Sequence, residues 1–297
     1  MDEAGGRVLG IGELLWDLFP DAPRLGGAPF NVVANLHRLG HRTAFVTAVG
    51  DDELGRAALV ATDALGVDST FITTAFDLPT GTVAVSADGH GGHQFTIRTP
   101  VAYESIRGGE ALVARLRAWM PDAMVFGTLA QRFTQVRELT HQVAADIRPA
   151  HRLYDVNLRD GCWTPDLVIE LLADATILKL NEQEADVLAS ILGTKDAGST
   201  LASAVASRHG IQTMCITRGG AGAALWVDGE ERTVDGVGVD VVDTVGAGDA
   251  FAAGLLHGLL RHEGPNEMLD FANRLGALVA SRRGALPSWR PEEVAAT

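Results

Sequence analysis

Short runs of consecutive apolar residues alternate along this chain with longer stretches whose apolar positions recur at helical period. The runs RVLGIGE (7–13), TAFVTAVG (43–50), AMVFG (123–127), RLYDVN (152–157), ATILKLN (175–181) and TMCITRG (213–219) predict buried strands. Between them, 29–39, 53–65, 109–118, 133–147, 183–191 and 199–209 predict helices. Gly40 and Gly66 fall just past the first two helices, where a left-handed residue commonly closes the last turn. Strands alternating with helices predict an α/β fold with a doubly wound, mostly parallel sheet.

Two segments break that rhythm. Residues 12–27 and 70–98 are rich in Thr, Val and Phe, with turn signals at Pro79-Thr80-Gly81 and Asp88-Gly89. They read as antiparallel strands and hairpins inserted early in the chain. The expectation is a single domain over 1–297 carrying a small β-sheet lid, contributed by about 12–30 and 70–103. His90 and His93 flank two glycines and read as a solvated hairpin tip rather than a metal pair.

Composition narrows the classes. The 297 residues are 46% hydrophobic and 21% charged, ordinary for a globular chain. A formal net charge of −14 without a basic stripe argues against a nucleic-acid partner. Cys162 and Cys215 stand far apart with no metal-ligand spacing, as reduced core thiols do. No apolar run approaches the ~18–20 residues of a membrane span, and the N-terminus opens acidic. These features predict a soluble cytoplasmic protein with no membrane partner.

The stretch DTVGAGDAF (243–251) carries the chemistry. A helix of apolar period runs over 249–260 and begins near Gly246–Asp249, so Gly246, Ala247 and Gly248 offer unobstructed amides at a helix N-terminus. A phosphoryl group can approach such amides closely, and Asp249 beside it can accept a proton from an attacking hydroxyl. Asp249 as a plain helix cap is the bland alternative. A dinucleotide fingerprint is weaker, because Phe251 stands where its third glycine belongs.

The chain resembles the ribokinase-like sugar kinases, and within them the fructokinases. DTVGAGDAFAAGLL (243–256) is similar to the family's C-terminal signature, and GGAPFNVVANLHRLGHRTAFVTAVG (26–50) to its N-terminal one. Val33 and Phe30 are larger than is usual there. GELLWDLFP, YDVNLR, ILKLNEQE, ITRGGAGA and FANRLGALVASRRGA follow in family order, so the likeness spans essentially the whole chain.

That resemblance implies a ribokinase-like fold, ATP as co-substrate and Mg²⁺. It implies Asp249 as general base, Gly246, Ala247 and Gly248 as the anion hole, and Asp17, Gly27 and Asn31 as sugar contacts. Asn157 and Arg159 lie just past a strand's C-terminal end, where α/β sheets hold ligands, and Arg159 is suited to neutralising phosphate charge. Asn181 and Glu184 resemble the pair that orders Mg²⁺ through water. Lys179 is a candidate phosphate contact. Thr217, Gly219, Gly220 and Gly222 resemble the nucleotide-side loop, and Asn273 matches a position near the adenine. The helix of Asn273 keeps Met268, Leu269, Ala272, Leu275, Leu278 and Val279 for the core. A K⁺ site is implied at Asp243 with the carbonyls of Val245, Ala280, Arg283 and Ala285.

The lid segments report on the acceptor. Residues 12–35 contain one cation, Arg24, and 70–103 contain one, Arg98. A phosphosugar needs about two or more to offset desolvation of its phosphate, so an unphosphorylated sugar is expected. Trp16 and Phe30 are candidates for its apolar wall, and Arg98 for a sugar contact, although Tyr103 stands where fructokinases keep an Asp. D-fructose phosphorylated at O6 is the first reading; ribose, 2-keto-3-deoxygluconate and nucleosides are alternatives. A non-catalytic sugar or nucleotide sensor would show a degraded glycine run or a missing base, and neither is seen. The lid's strand edges suggest a homodimer through the lid.

Overall fold

The computed structural model describes residues 5–87 and 93–297. The turn expected at Asp88-Gly89 and His90 lie outside what is described, whereas His93, expected at the hairpin tip, opens a strand and pairs with Ala87. Nine strands form the main sheet, in chain order β1 (Arg7–Ile11), β4 (Arg42–Gly50), β5 (Ile72–Ala75), β8 (Ala123–Gly127), β9 (His151–Asp155), β10 (Ile177–Asn181), β11 (Thr213–Thr217), β12 (Ala223–Val227) and β13 (Glu230–Val234). Their spatial order is β13-β12-β11-β10-β9-β8-β1-β4-β5, parallel from β11 to β5 and antiparallel at the β11-β12-β13 edge. The edge hairpin turns at Asp228 (φ 51°) and Gly229 (φ 83°), the two positive dihedrals a tight hairpin needs.

Helices cover both faces. Leu9, Ile11, Met124, Phe126, Leu178 and Leu180 point to one side, against α3 (Glu110–Trp119), α4 (Thr128–Gln131), α5 (Thr134–Gln142), α6 (Pro165–Leu172), α7 (Glu182–Leu192) and α8 (Ser199–His209). Val8, Ala123, Val125, Leu153 and Ile177 alternate to the other side, against α1 (Ala28–Arg38), α9 (Ala247–Leu260) and α10 (Pro265–Ala280). Buried on both faces, the strands need the unbroken apolar runs seen in the sequence. Gly40 and Gly66 take φ of 90° and 79°, as expected after α1 and after α2 (Glu53–Ala64).

The small sheet has the order β3-β2-β6-β7, built from β2 (Leu15–Leu18), β3 (Pro23–Gly26), β6 (Gly81–Ala87) and β7 (His93–Ile97). Two expectations are corrected here. The lid is not wholly antiparallel: β2 and β6 come from separate hairpins and pair in parallel, Leu15 with Gly81 through Leu18 with Ala84. Such a pair needs a long crossover, and residues 19–80, which include α1, β4 and α2, supply it. The lid segments are also shorter than expected. Residues 72–75 join the main sheet beside β4, 28–30 begin α1, and Ala102–Ser105 form a buried turn of 3₁₀ helix.

Candidate active site

The C-terminal ends of the parallel strands, the first turn of α9 and the inner face of the lid enclose a cavity of about 330 Å³. Glycine opens it at two points. Gly27, φ 122°, precedes α1, and a Cβ there would lie 2.2 Å from the Glu13 carbonyl oxygen. Gly246, φ 79°, precedes α9, and its Cβ would lie 2.5 Å from the Ala285 backbone. Neither position accepts another residue without moving backbone.

Asp249 is not the cap of its helix. Gly246 holds the capping position and Asp249 follows three residues later, so its buried carboxylate is free to face the cavity. Asn31, on α1, donates from Nδ2 to Asp249 Oδ2 at 2.8 Å. Burial pushes the Asp249 carboxyl above its usual range, opposed by that hydrogen bond and by the Lys179 and Arg159 charges. Gly246 and Gly248 line the cavity, whereas Ala247 does not, and its N–H turns back onto the Thr244 carbonyl at 3.3 Å.

On the lid side, strand alternation sorts the residues. Leu15 and Asp17 share the cavity-facing side of β2, while Trp16 points away and donates to the Leu54 carbonyl at 3.0 Å. Phe30 is fully buried edge-on against Phe45. The expected apolar wall of Trp16 and Phe30 is therefore replaced by Leu15, Val83 and Ile97. Burial raises Asp17 to about 6, with Arg159 opposing and Asp249 adding to the shift. Arg98 is exposed and outside the cavity lining, because Ile97 takes the inward position beside it. Arg24 is drawn instead to Asp21 (2.6 Å) and the Phe19 ring.

On the opposite side, Asn157, Arg159, Lys179, Asn181, Glu184 and Thr217 all reach the cavity. Asn157 adopts φ 40°, a conformation asparagine tolerates better than most residues. Glu184 is buried rather than a surface acid. Its Oε2 accepts the Asn181 N–H at 2.8 Å, Asn181 Oδ1 accepts the Glu184 N–H at 2.9 Å, and Oε1 accepts the Leu158 N–H at 2.9 Å. The pair thus caps α7 and ties it to the loop bearing Asn157 and Arg159.

Lys179 is buried, its Nζ 3.1 and 3.3 Å from the two oxygens of Asp155. Burial works against the ammonium, but Asp155, Glu184 and Asp249 outweigh it and the Lys179 pKa is raised. A Cβ on Gly248 would sit 3.1 Å from that Nζ, so the cation lies directly beside the glycine run.

Other expected residues lie apart from the cavity. Gly219, Gly220 and Gly222 form the turn after β11, beyond Thr217, and do not line it. Asn273 is buried and spends its amide on the Asp235 carbonyl at 2.8 Å, pinning the loop that leads to the glycine run. Asp243 accepts the Val245 N–H at 3.1 Å and the Gly284 N–H at 2.9 Å, knotting that loop to the chain after α10. Val245 and Ala285 flank the knot, and Arg283 adjoins Gly284. The Ala280 carbonyl is already taken by the N–H groups of Val242 and Asp243. The described residues contain no cluster of three or more His, Cys, Asp or Glu able to hold a metal, and no helix long and apolar enough to cross a membrane.

The sequence reading does not reach Glu13, Thr128 or Asp155. Glu13 and Thr128 line the cavity, and Asp155 anchors Lys179. Each sits at or just past a strand's C-terminal end, the positional signal that singled out Asn157.

Comparison with known proteins bears on the family and the fold. Residues 23–292 match the model of the pfkB family carbohydrate kinases. A fructokinase of Klebsiella pneumoniae is 31% identical over 300 residues, covering 95% of each chain. An aminoimidazole riboside kinase of Salmonella typhimurium is 31% identical over 302 residues, covering 96% of this chain and 92% of the relative. Among solved structures, a fructokinase double mutant of Vibrio cholerae O395 in its fructose-, ADP- and potassium-bound form superimposes with a TM-score of 0.82 at 25% identity, covering 100% and 99% of the two chains. The chain belongs to the pfkB family of carbohydrate kinases and is a phosphotransferase acting on a sugar hydroxyl.

Proposed function

We propose that the acceptor is D-fructose and the product fructose 6-phosphate, with ATP as donor. The observation carrying the mechanism is the 2.8 Å contact of Asn31 with Asp249, which sets a carboxylate between the sugar-facing residues and the mouth of α9. In this reading Asp17, Gly27, Asn31 and Asn157 hold the sugar. Asp249 takes the proton of the attacking hydroxyl, whose oxygen forms a bond to the γ-phosphorus as the bond to the β–γ bridging oxygen breaks. ADP leaves with that electron pair. Amides of the glycine run, with Arg159 and Lys179, stabilise the charge on the transferring group. The raised pKa of Asp249 suits a base that must accept a proton near neutrality.

An unphosphorylated acceptor is supported by the sugar-side wall, where neither Arg24 nor Arg98 lines the cavity. Asn181, Glu184, Thr217 and the turn at Gly219, Gly220 and Gly222 are assigned to the nucleotide side, with Asn273 acting on it through the loop it pins. Mg²⁺ accompanying ATP would supply charge neutralisation at the phosphates, and Asn181 and Glu184, whose oxygens also carry the cap of α7, would hold it through its waters. A K⁺ ion is assigned to Asp243 with the carbonyls of Val245, Arg283 and Ala285, supported by the potassium-bound relative. A cytoplasmic homodimer joined through the outer lid strands completes the reading; a monomer mass in solution overturns the dimer.

A second reading is an aminoimidazole riboside or nucleoside acceptor. It is favoured by the Salmonella relative and by the apolar Leu15, Val83 and Ile97, which suit a planar base. An ADP-release assay over D-fructose, ribose, 2-keto-3-deoxygluconate and aminoimidazole riboside, with and without K⁺, decides between them. Fructose is expected to give the highest kcat/KM, and a higher value for a riboside overturns the first reading.

A further inference from the structure

We propose that Glu13 is a further acceptor-binding residue: its unpaired carboxylate oxygen, beside Asn31, receives a sugar hydroxyl that Asp17 does not hold. The inference rests on the sugar-kinase reading and deepens it.

Glu13 lies two residues past β1 and is only 3% exposed, yet it lines the cavity beside Gly27, Ala28 and Asn31. One oxygen is fixed: Oε1 accepts the Ala28 N–H at 3.2 Å, at the first turn of α1. The other, Oε2, is buried with no hydrogen-bond partner among the described residues. Asn31, 4% exposed, shows the same division of labour. Its Nδ2 is committed to Asp249, while its Oδ1 is buried with no partner among the described residues.

Two buried oxygens on one cavity wall, each belonging to a side chain whose other polar atom is committed, call for donors from outside the protein. Both unpartnered atoms are oxygens, which matches a polyhydroxylated, uncharged acceptor rather than a phosphate. The surroundings reinforce the assignment. Glu13 feels the charges of both Arg159 and Asp249, so it belongs to the same electrostatic unit as the transfer site. Within reach of its charge stands Tyr103, 1% exposed, whose hydroxyl is also buried with no partner among the described residues.

The test pairs Glu13→Gln with monodeoxy analogues of the preferred sugar. Glutamine keeps the oxygen that accepts the Ala28 N–H and replaces only the free one with an amide NH₂. A site built to bind a hydroxyl discriminates strongly against the analogue lacking it, so E13Q should raise the sugar KM about tenfold or more, with the KM for ATP within about twofold. One deoxy analogue should lose about tenfold or more in kcat/KM with wild type but less than about threefold with E13Q. An unchanged sugar KM, or equal penalties for every analogue in both proteins, overturns the proposal and leaves Glu13 a support for the Ala28 turn. Calorimetric titration of the same sugars into both proteins separates the two readings. Sugar binding without ADP release overturns the kinase reading alone, and Glu13 is then judged by the binding constants. Absence of any sugar binding overturns both.

Discussion

Lys179 offers the sharpest separation of structure from catalysis. Its ammonium reaches both oxygens of Asp155 at 3.1 and 3.3 Å, and the side chains are 7% and 2% exposed. Lys179→Met keeps the length and apolar stem but strands the Asp155 carboxylate without its cation. Breaking a buried ion pair from one side costs about 3–5 kcal/mol, because the remaining charge has neither water nor partner. At about 2 cal/mol/K per residue, a chain of this length has an unfolding entropy near 0.6 kcal/mol/K, so the loss corresponds to about 5–8 °C in Tm. The double variant K179M/D155N removes both charges and should recover more than half of that loss. Turnover should not follow. With the cation beside Gly248 gone, charge on the transferring phosphoryl loses one stabilising partner, and kcat should stay about 10²-fold down in both variants. Thermal melts and single-turnover ADP release read the two effects independently. If K179M melts with wild type, Asp155 is not held as a charged partner. If the double variant regains wild-type turnover, Lys179 serves only to neutralise Asp155.

Two further outcomes follow from the same electrostatics. Asp249→Asn should retain the fold and nucleotide binding while kcat falls about 10²–10⁴-fold, and wild-type turnover would remove Asp249 as the base. Burial raises Glu13 from 4.5 to about 7, so between those values the folded protein binds the proton more tightly than the unfolded chain. Stability therefore falls as pH rises through this window, by up to about 3 kcal/mol in total, and Glu13→Gln abolishes that component. Urea unfolding at pH 5 and pH 8 should show E13Q gaining on wild type at the higher pH, and an equal difference at both pH values refutes the assignment.

The residue pattern sufficed for the parallel core because its strands are buried on both faces and advertise this as unbroken apolar runs. Gly40, Gly66 and the α9 signature were readable for an equally local reason: a positive φ or a helix mouth leaves its mark within a few residues. The hairpin at Asp228-Gly229 leaves such a mark too, between AALWV and EERTV. Helix α6 likewise opens with Thr164 capping Leu167 at 3.2 Å and Pro165 in its first turn.

What no local pattern carries is partnership across the chain. Asn31 and Asp249 are 218 residues apart, and nothing near either announces their hydrogen bond. Strand alternation on β2 chose Leu15 over Trp16 for the cavity wall, a choice that depends on which side of the lid faces the body. Parallel pairing of β2 with β6 likewise depends on where two separate hairpins emerge. Asp249 could be read from its motif as cap or base. Its position three residues inside a helix capped by glycine, and the amide of Asn31 facing it, exclude the cap. Composition and periodicity set the scaffold because burial is an average over many residues; the site is set by a few distances, and those exist only once the scaffold has closed.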